Sequence, residues 1–176
     1  MRAVFLDRDG VITRSFERGG RPYAPRTLEE FEILPEAAPA LRRLKEAGFL
    51  LVVVTNQPDV GKGEVPREVV EEMHRRLATA LPLDAIQVNY ATDNADPGRK
   101  PNPGMLLEAA GALNIDLRAS FMIGDRWRDI DAGRNAGCRT ILLGDGYGEI
   151  PRIAFDHSFA TLAEAVDLIL NPPPNP

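Results

Sequence analysis

The run Phe49-Leu-Leu-Val-Val-Val54 constrains the fold more than any other stretch of this chain. It has neither the 3.6-residue period of an amphipathic helix nor the alternation of a strand wetted on one face. A continuous apolar run of this kind suits a strand buried on both faces of a parallel sheet. The rest of the chain alternates short β-branched runs with longer segments of helical patterning. Strands are predicted over Ala3–Leu6, Ala85–Tyr90, Phe121–Ile123 and Thr140–Leu143, with an edge strand at Phe155–His157. Helices are predicted from Pro35 to Ala47 with Gly48 as the stop, from Pro66 through Leu81, and after Pro103 with Met105, Leu106, Ala109, Ala110 and Leu113 on one face. Two more are expected, from about Asp129 to Ala136 and over Leu162–Leu170. Residues 13 to 34 read as a long polar connection and 171 to 176 as a frayed tail.

Alternating strands and helices imply an α/β protein, a three-layer, Rossmann-like fold with a mainly parallel sheet of five or six strands. A single domain over residues 1–170 is expected, because no linker or repeat divides the chain. At 176 residues and net charge −5 the chain is poorly suited to binding nucleic acid or a membrane surface. One cysteine, Cys138, and two histidines, His74 and His157, cannot build a thiolate-rich zinc site or an internal disulfide. Cys138 reads as a small core hydrophobe and His74 as a helix-surface residue. With no long apolar segment, a cytoplasmic monomer is expected.

Ligands of open parallel sheets bind at the carboxyl ends of the strands, and the polar clusters of this sequence fall there. Asp7 and Asp9 follow the first strand, Thr55-Asn56-Gln57 the second, and Gly124-Asp125 the fourth, with Asp129 and Asp131 shortly after. Arg99-Lys100-Pro101 lies in the loop after the third strand. Side chains two apart on a strand share a side, so Asp7 and Asp9 can face one point while Arg8 points away. Gly10 permits a sharp turn behind them. Carboxylates this close repel each other unless a cation sits between them, and a divalent metal is the simplest remedy. Carboxylates, a hydroxyl and one or two cations on one edge suit magnesium and a phosphate.

Asp-Arg-Asp-Gly-Val, Val-Thr-Asn-Gln, Arg-Lys-Pro and Ile-Gly-Asp-Arg-x-x-Asp-Ile, in this order, resemble the four signature motifs of the haloacid-dehalogenase-like (HAD) phosphatases. Arg8, Asn56-Gln57 and Arg99 resemble more narrowly the branch that contains the heptose 1,7-bisphosphate and histidinol-phosphate phosphatases. The resemblance implies a magnesium-dependent phosphomonoesterase acting on a small phosphorylated metabolite, most simply a heptose bisphosphate. Asp7 would form an aspartyl-phosphate, and Asp9, starting in its protonated form, would serve as acid and then base. Magnesium would be held by Asp7, the Asp9 backbone carbonyl and Asp125. Thr55 and the Asn56 amide would bind the phosphoryl oxygens, and Lys100 would stabilise the phosphoryl group in transit. Asp129 would orient Lys100 or a metal-bound water. Gln57 would bind substrate, and Arg99 would recognise a second anionic group on it.

The intervals from Asp7 to Thr55 and from Thr55 to Lys100 are each used by a loop, one helix and a strand, so no cap domain is expected. The heptose and histidinol enzymes typically carry a zinc-binding loop of three cysteines and a histidine just before Arg-Lys-Pro. The segment here, Asn89 to Gly98, contains no cysteine or histidine, so zinc is not expected, and Pro58-Asp59 replaces the usual Ser-Gly. Both departures fall on loops that would line the substrate pocket. Histidinol phosphate or another small metabolite is the alternative substrate. A receiver-like signalling domain shares the residue inventory but has a different motif order.

Overall fold

The computed structural model describes residues 1–149 and 154–172. Along the chain, strand β1 (Ala3–Leu6) leads to a hairpin of β2 (Phe16–Arg18) and β3 (Arg21–Tyr23), then helix α1 (Ala37–Glu46), β4 (Leu50–Asn56) and the one-turn α2 (Pro58–Gly61). There follow α3 (Arg67–Ala80), β5 (Ala85–Asn89), α4 (Gly104–Leu113), β6 (Phe121–Gly124), α5 (Trp127–Ala136), β7 (Arg139–Leu143), β8 (His157–Phe159) and α6 (Leu162–Leu170). Six strands form one sheet in the order β5-β4-β1-β6-β7-β8, and every pairing is parallel.

Two-sided burial accounts for the apolar runs. Val4 and Leu6 of β1, with Leu51 and Val53 of β4, enter a core that also takes Leu41 and Leu44 of α1, Leu77 of α3 and Val166 of α6. Ala3, Phe5, Val52 and Val54 point the other way, onto Met105, Leu106 and Ala109 of α4 and Ala132 of α5. Strand β1 sits where the order turns: the chain adds β4 and β5 on one side of it and then returns to add β6, β7 and β8 on the other. Such a switch point opens a crevice at the strand ends, and β1 ends one residue before Asp7.

Several boundaries differ from the sequence expectation for identifiable reasons. Helix α5 begins at Trp127 rather than Asp129, because the Asp129 carboxylate accepts a hydrogen bond from the backbone N–H of Arg126 and so sits in the first turn as a cap. Strand β8 starts at His157, two residues late, because the Asp156 carboxylate is engaged with the backbone N–H and hydroxyl of Thr140. Helix α1 starts at Ala37, after a turn in which Ala37 donates to the carbonyl of Leu34. The 13–34 connection contains the β2–β3 hairpin, closed by Gly19 and Gly20, both at positive φ as a tight two-residue turn requires. The helix α2 falls where no element was expected. No helix among the described residues is long and apolar enough to cross a membrane. Of the expected tail, residues 173–176 lie outside the described residues.

Candidate active site

Three strand ends and one helix start converge beside β1. Asp7 extends the ladder, donating its N–H to the carbonyl of Ile123 at 3.0 Å. Asp125 follows β6, and Asp129 occupies the first turn of α5. Carboxylate oxygens of Asp7, Asp125 and Asp129, all buried, lie within 4.8 Å of one another. Two glycines make this approach possible. A Cβ on Gly10, whose φ is +89°, would lie 2.0 Å from Asp125 Oδ2, and one on Gly124 would lie 2.1 Å from the Asp129 Cβ.

Lys100 is the cation of this cluster. Its Nζ donates to Asp7 Oδ1 at 2.7 Å, to Asp129 Oδ1 at 2.6 Å and to the Val54 carbonyl at 2.8 Å. The Asn56 carboxamide donates to the Lys100 carbonyl at 3.0 Å and accepts from the Lys100 N–H at 3.1 Å. The side chain of Asn56, expected on the phosphate, is thus engaged in holding Lys100. Asp129 is placed on Lys100.

One lysine does not balance three buried carboxylates. Burial first, and the neighbouring Asp129 second, push the Asp7 carboxyl up to about 7, against the pull of Lys100. Asp125 is raised well above the usual carboxylate range by burial and by the charges of Asp7 and Asp129. Lys100 lies above the usual lysine range, since Asp129 and Asp7 outweigh the opposing effect of its burial. Asp125 Oδ1 is buried and has no hydrogen-bond partner, while Oδ2 accepts from the Tyr147 hydroxyl at 2.8 Å. A buried carboxylate oxygen without a donor is costly. An all-oxygen set with surplus negative charge and one orphaned oxygen fits a hard divalent cation.

Asp9 lies outside this trio but lines the same cavity as Asp7, and its side chain has its own set of donors. Its carboxylate accepts from Arg8 Nε at 3.0 Å, Gln57 Nε2 at 2.8 Å and Thr13 Oγ1 at 3.1 Å. Arg8 does not simply point away. It is fully buried, forms an ion pair with Asp9 at 3.0 Å, and has Nη1 3.1 Å from His74 Nε2. An arginine only donates, so that histidine nitrogen accepts. His74 is therefore a partly buried partner of Arg8 and not a helix-surface residue; burial and the Arg8 charge lower its pKa to about 4. Gln57 spends its amide on Asp9 and on Thr55 Oγ1 at 2.9 Å, and its side chain is 3% exposed, so it braces two site residues.

Asp7, Asp9, Thr55, Lys100 and Asp125 line a cavity of about 230 Å³. Its cationic rim is formed by Lys62, Arg126 and Arg128, and Tyr23 of the β2–β3 hairpin also borders it. Arg99, expected there, does not line the cavity. The loop before it turns its guanidinium back, so that Nη1 donates to the Ala91 carbonyl at 2.7 Å and Nε to Asn94 Oδ1 at 3.3 Å. Sequence reasoning left Arg126 open between a pocket rim and a packing contact and assigned no role to Lys62, Arg128 or Tyr147. Only the Gly-rich context Gly144-Asp145-Gly146-Tyr147-Gly148, after a strand end, could have drawn attention to the last.

A parallel sheet with an aspartate at its switch point, a buried lysine bonded to it and a pair of aspartates after β6 is the arrangement of a HAD-like phosphatase. Comparison with known proteins agrees: residues 98–165 match the family described as HAD-hyrolase-like. A D-glycero-D-manno-heptose-1,7-bisphosphate 7-phosphatase of Thermosynechococcus vestitus is 37% identical over 164 residues, covering 84% of this chain and 81% of the relative. A D-glycero-beta-D-manno-heptose-1,7-bisphosphate 7-phosphatase of Pseudomonas putida is 34% identical, covering 85% and 86% of the two chains. The crystal structure of D,D-heptose 1,7-bisphosphate phosphatase from B. bronchiseptica, complexed with magnesium and phosphate, superposes with a TM-score of 0.80 at 28% identity, over 97% of this chain and 98% of that one. The chain belongs to the HAD-like phosphatases and groups within them with the heptose-1,7-bisphosphate 7-phosphatases.

Proposed function

We propose that the protein is a magnesium-dependent phosphomonoesterase that removes one phosphate from a heptose 1,7-bisphosphate through an aspartyl-phosphate on Asp7. The observation that carries this reading is the buried trio Asp7, Asp125 and Asp129, with one lysine bridging two of them and an orphaned oxygen on the third.

Asp7 attacks phosphorus as the ester P–O bond breaks, and Asp9, which enters this step carrying a proton, gives it to the departing alkoxide and is left as the carboxylate beside Arg8. In the second step Asp9 takes a proton from water as that water attacks phosphorus and the bond to Asp7 breaks. Thr55, whose oxygen accepts from Gln57 and whose own hydrogen is left to give, would donate to a phosphoryl oxygen, and Lys100, whose three hydrogens are spent on Asp7, Asp129 and the Val54 carbonyl, would act on the phosphoryl group through its charge from beside Asp7. Arg8 and Gln57 hold Asp9 at the cavity wall, from which it reaches the leaving oxygen. Asp7, Asp125 and the Asp9 carbonyl would hold a magnesium ion, whose charge would offset the repulsion between a carboxylate nucleophile and a phosphate dianion. The trio's fit to a divalent cation and the related enzyme crystallised with magnesium support that assignment.

The choice of a bisphosphate rests on the relatives' activity and on Lys62, Arg126 and Arg128, which give the open cavity cations for a second phosphate. Arg99 is not assigned that role. Hydrogen bonds tie the loop around Lys100 together: Asn89 donates to Asp96, and Asn102 to the carbonyls of Asn94 and Asp96. Phosphate release with magnesium from both anomers of heptose 1,7-bisphosphate, histidinol phosphate and common hexose phosphates tests the reading. One heptose anomer should exceed every monophosphate by at least about tenfold in kcat/KM. Release from none of them, or a preferred monophosphate, would refute it.

A second expectation concerns pH. Asp7 is raised from 3.8 to about 7 in the fold, so the metal-free fold favours its protonated form. The stability it contributes is complete below pH 4 and is lost as pH rises toward about 7. The melting temperature of metal-free protein should fall over that window on account of Asp7 and Asp125. Magnesium should raise it most at and above pH 7, where its ligands are ionised. A magnesium shift of equal size at pH 5 and pH 8 would contradict the assignment.

A further inference from the structure

We infer that Tyr147 is a positioning residue for the metal site, holding Asp125 in its binding orientation and coupling it to the hairpin that borders the substrate cavity. This rests on the proposed magnesium reading of Asp125. The Tyr147 hydroxyl donates to Asp125 Oδ2 at 2.8 Å and lies 3.0 Å from the hydroxyl of Ser15. A phenol has one hydrogen, and it is spent on the carboxylate, so Ser15 donates to the tyrosine oxygen. Ser15 directly precedes β2 and lines the substrate cavity, whereas Tyr147 lines a second cavity of about 240 Å³. Asp125 borders both cavities, and the tyrosine hydroxyl is hydrogen-bonded to its carboxylate.

The backbone shows that this placement is held against local preference. Tyr147 has φ 56° and ψ 32°, a left-handed conformation that an aromatic residue adopts at a cost. Contacts on both sides fix the turn. Gly144 donates to the Phe159 carbonyl, the Asp145 carboxylate accepts from the Tyr147 N–H at 2.8 Å, and Glu149 pairs with Arg126 at the start of α5. The resulting geometry leaves Oδ1 of Asp125 without a protein partner while Oδ2 is oriented, as a metal ligand braced by an outer hydrogen bond should be.

Tyr147→Phe keeps the ring and removes only the hydroxyl. Calorimetric titration with magnesium, together with melting of the metal-free protein, tests the inference. Removal of an outer partner of this kind typically weakens metal affinity about tenfold or more. The expected result is therefore about a tenfold weaker magnesium dissociation constant and a matching rise in the magnesium needed for half-maximal rate, with metal-free melting little changed. Ser15→Ala, which leaves the Asp125 contact intact but frees the tyrosine oxygen, should shift affinity in the same direction by a smaller factor, and it serves as the second variant should Tyr147→Phe fail to fold. Unchanged magnesium affinity in both variants would overturn the inference while leaving the metal site itself in place. Failure of the wild-type protein to bind magnesium would overturn the inference and the reading beneath it together.

Discussion

Asp7→Asn is expected to fold normally and to lose turnover by about four orders of magnitude or more, the scale on which loss of a covalent nucleophile acts. The asparagine oxygen can still accept from Lys100, whose Nζ stands 2.7 Å from Asp7 Oδ1. The substitution also removes a carboxyl that burial and Asp129 push up to about 7. The metal-free variant should therefore be at least as stable as the parent at pH 7, by up to a few kcal/mol. Phosphate release and thermal melting measured side by side check both halves. Activity within about tenfold of the parent would remove Asp7 from the role assigned to it.

Lys100→Met should act in the opposite way on stability. The lysine is 2% exposed and bridges Asp7 and Asp129, so its loss leaves buried carboxylates with no compensating charge. Breaking a buried pair in this manner costs about 3–5 kcal/mol, or on the order of 10 °C for a chain of this length. The deficit should shrink as pH falls from 7 toward 4, because the remaining carboxyls can then take up protons, and magnesium should recover part of it. Turnover should not return under either condition, since the phosphoryl group loses its buried cation. Equal melting of variant and parent at pH 7 would show that Lys100 is not the cation of the cluster.

Asp7 and Asp125 were legible because each directly follows a strand whose two-sided burial leaves an unbroken apolar run, and Thr55 because it closes the run Leu51–Val54 of β4; Lys100, in the loop between β5 and α4, was legible only from its Arg-Lys-Pro motif. The sheet follows from the same runs. What could not be read were directions of side chains fixed by distant partners. Arg8 turns to Asp9 because α3 brings Met73 and His74 against its guanidinium, a contact across the fold that the local strand pattern does not encode. Asn56 and Gln57 have the donors expected of phosphate ligands, but the arrival of Lys100 and Asp9 beside them takes those donors up. Arg99 lies next to the lysine in sequence, yet the bend of the 91–99 loop turns it from the cavity. The hairpin was hidden by its polar strands, Phe-Glu-Arg and Arg-Pro-Tyr, which show no alternation; its Gly19-Gly20 turn was the only local signal. Tyr147 sits in a loop that packing brings to the Asp125 carboxylate.

The most direct test of the account is to quench the enzyme in acid during turnover of heptose 1,7-bisphosphate with magnesium and to weigh its peptides. The account predicts that the peptide bearing Asp7 gains the mass of one phosphoryl group, that the gain maps to Asp7 and that it is absent from Asp7→Asn. Steady turnover with no phosphorylated peptide under any quench condition, or a phosphoryl group mapped to another residue, would contradict it.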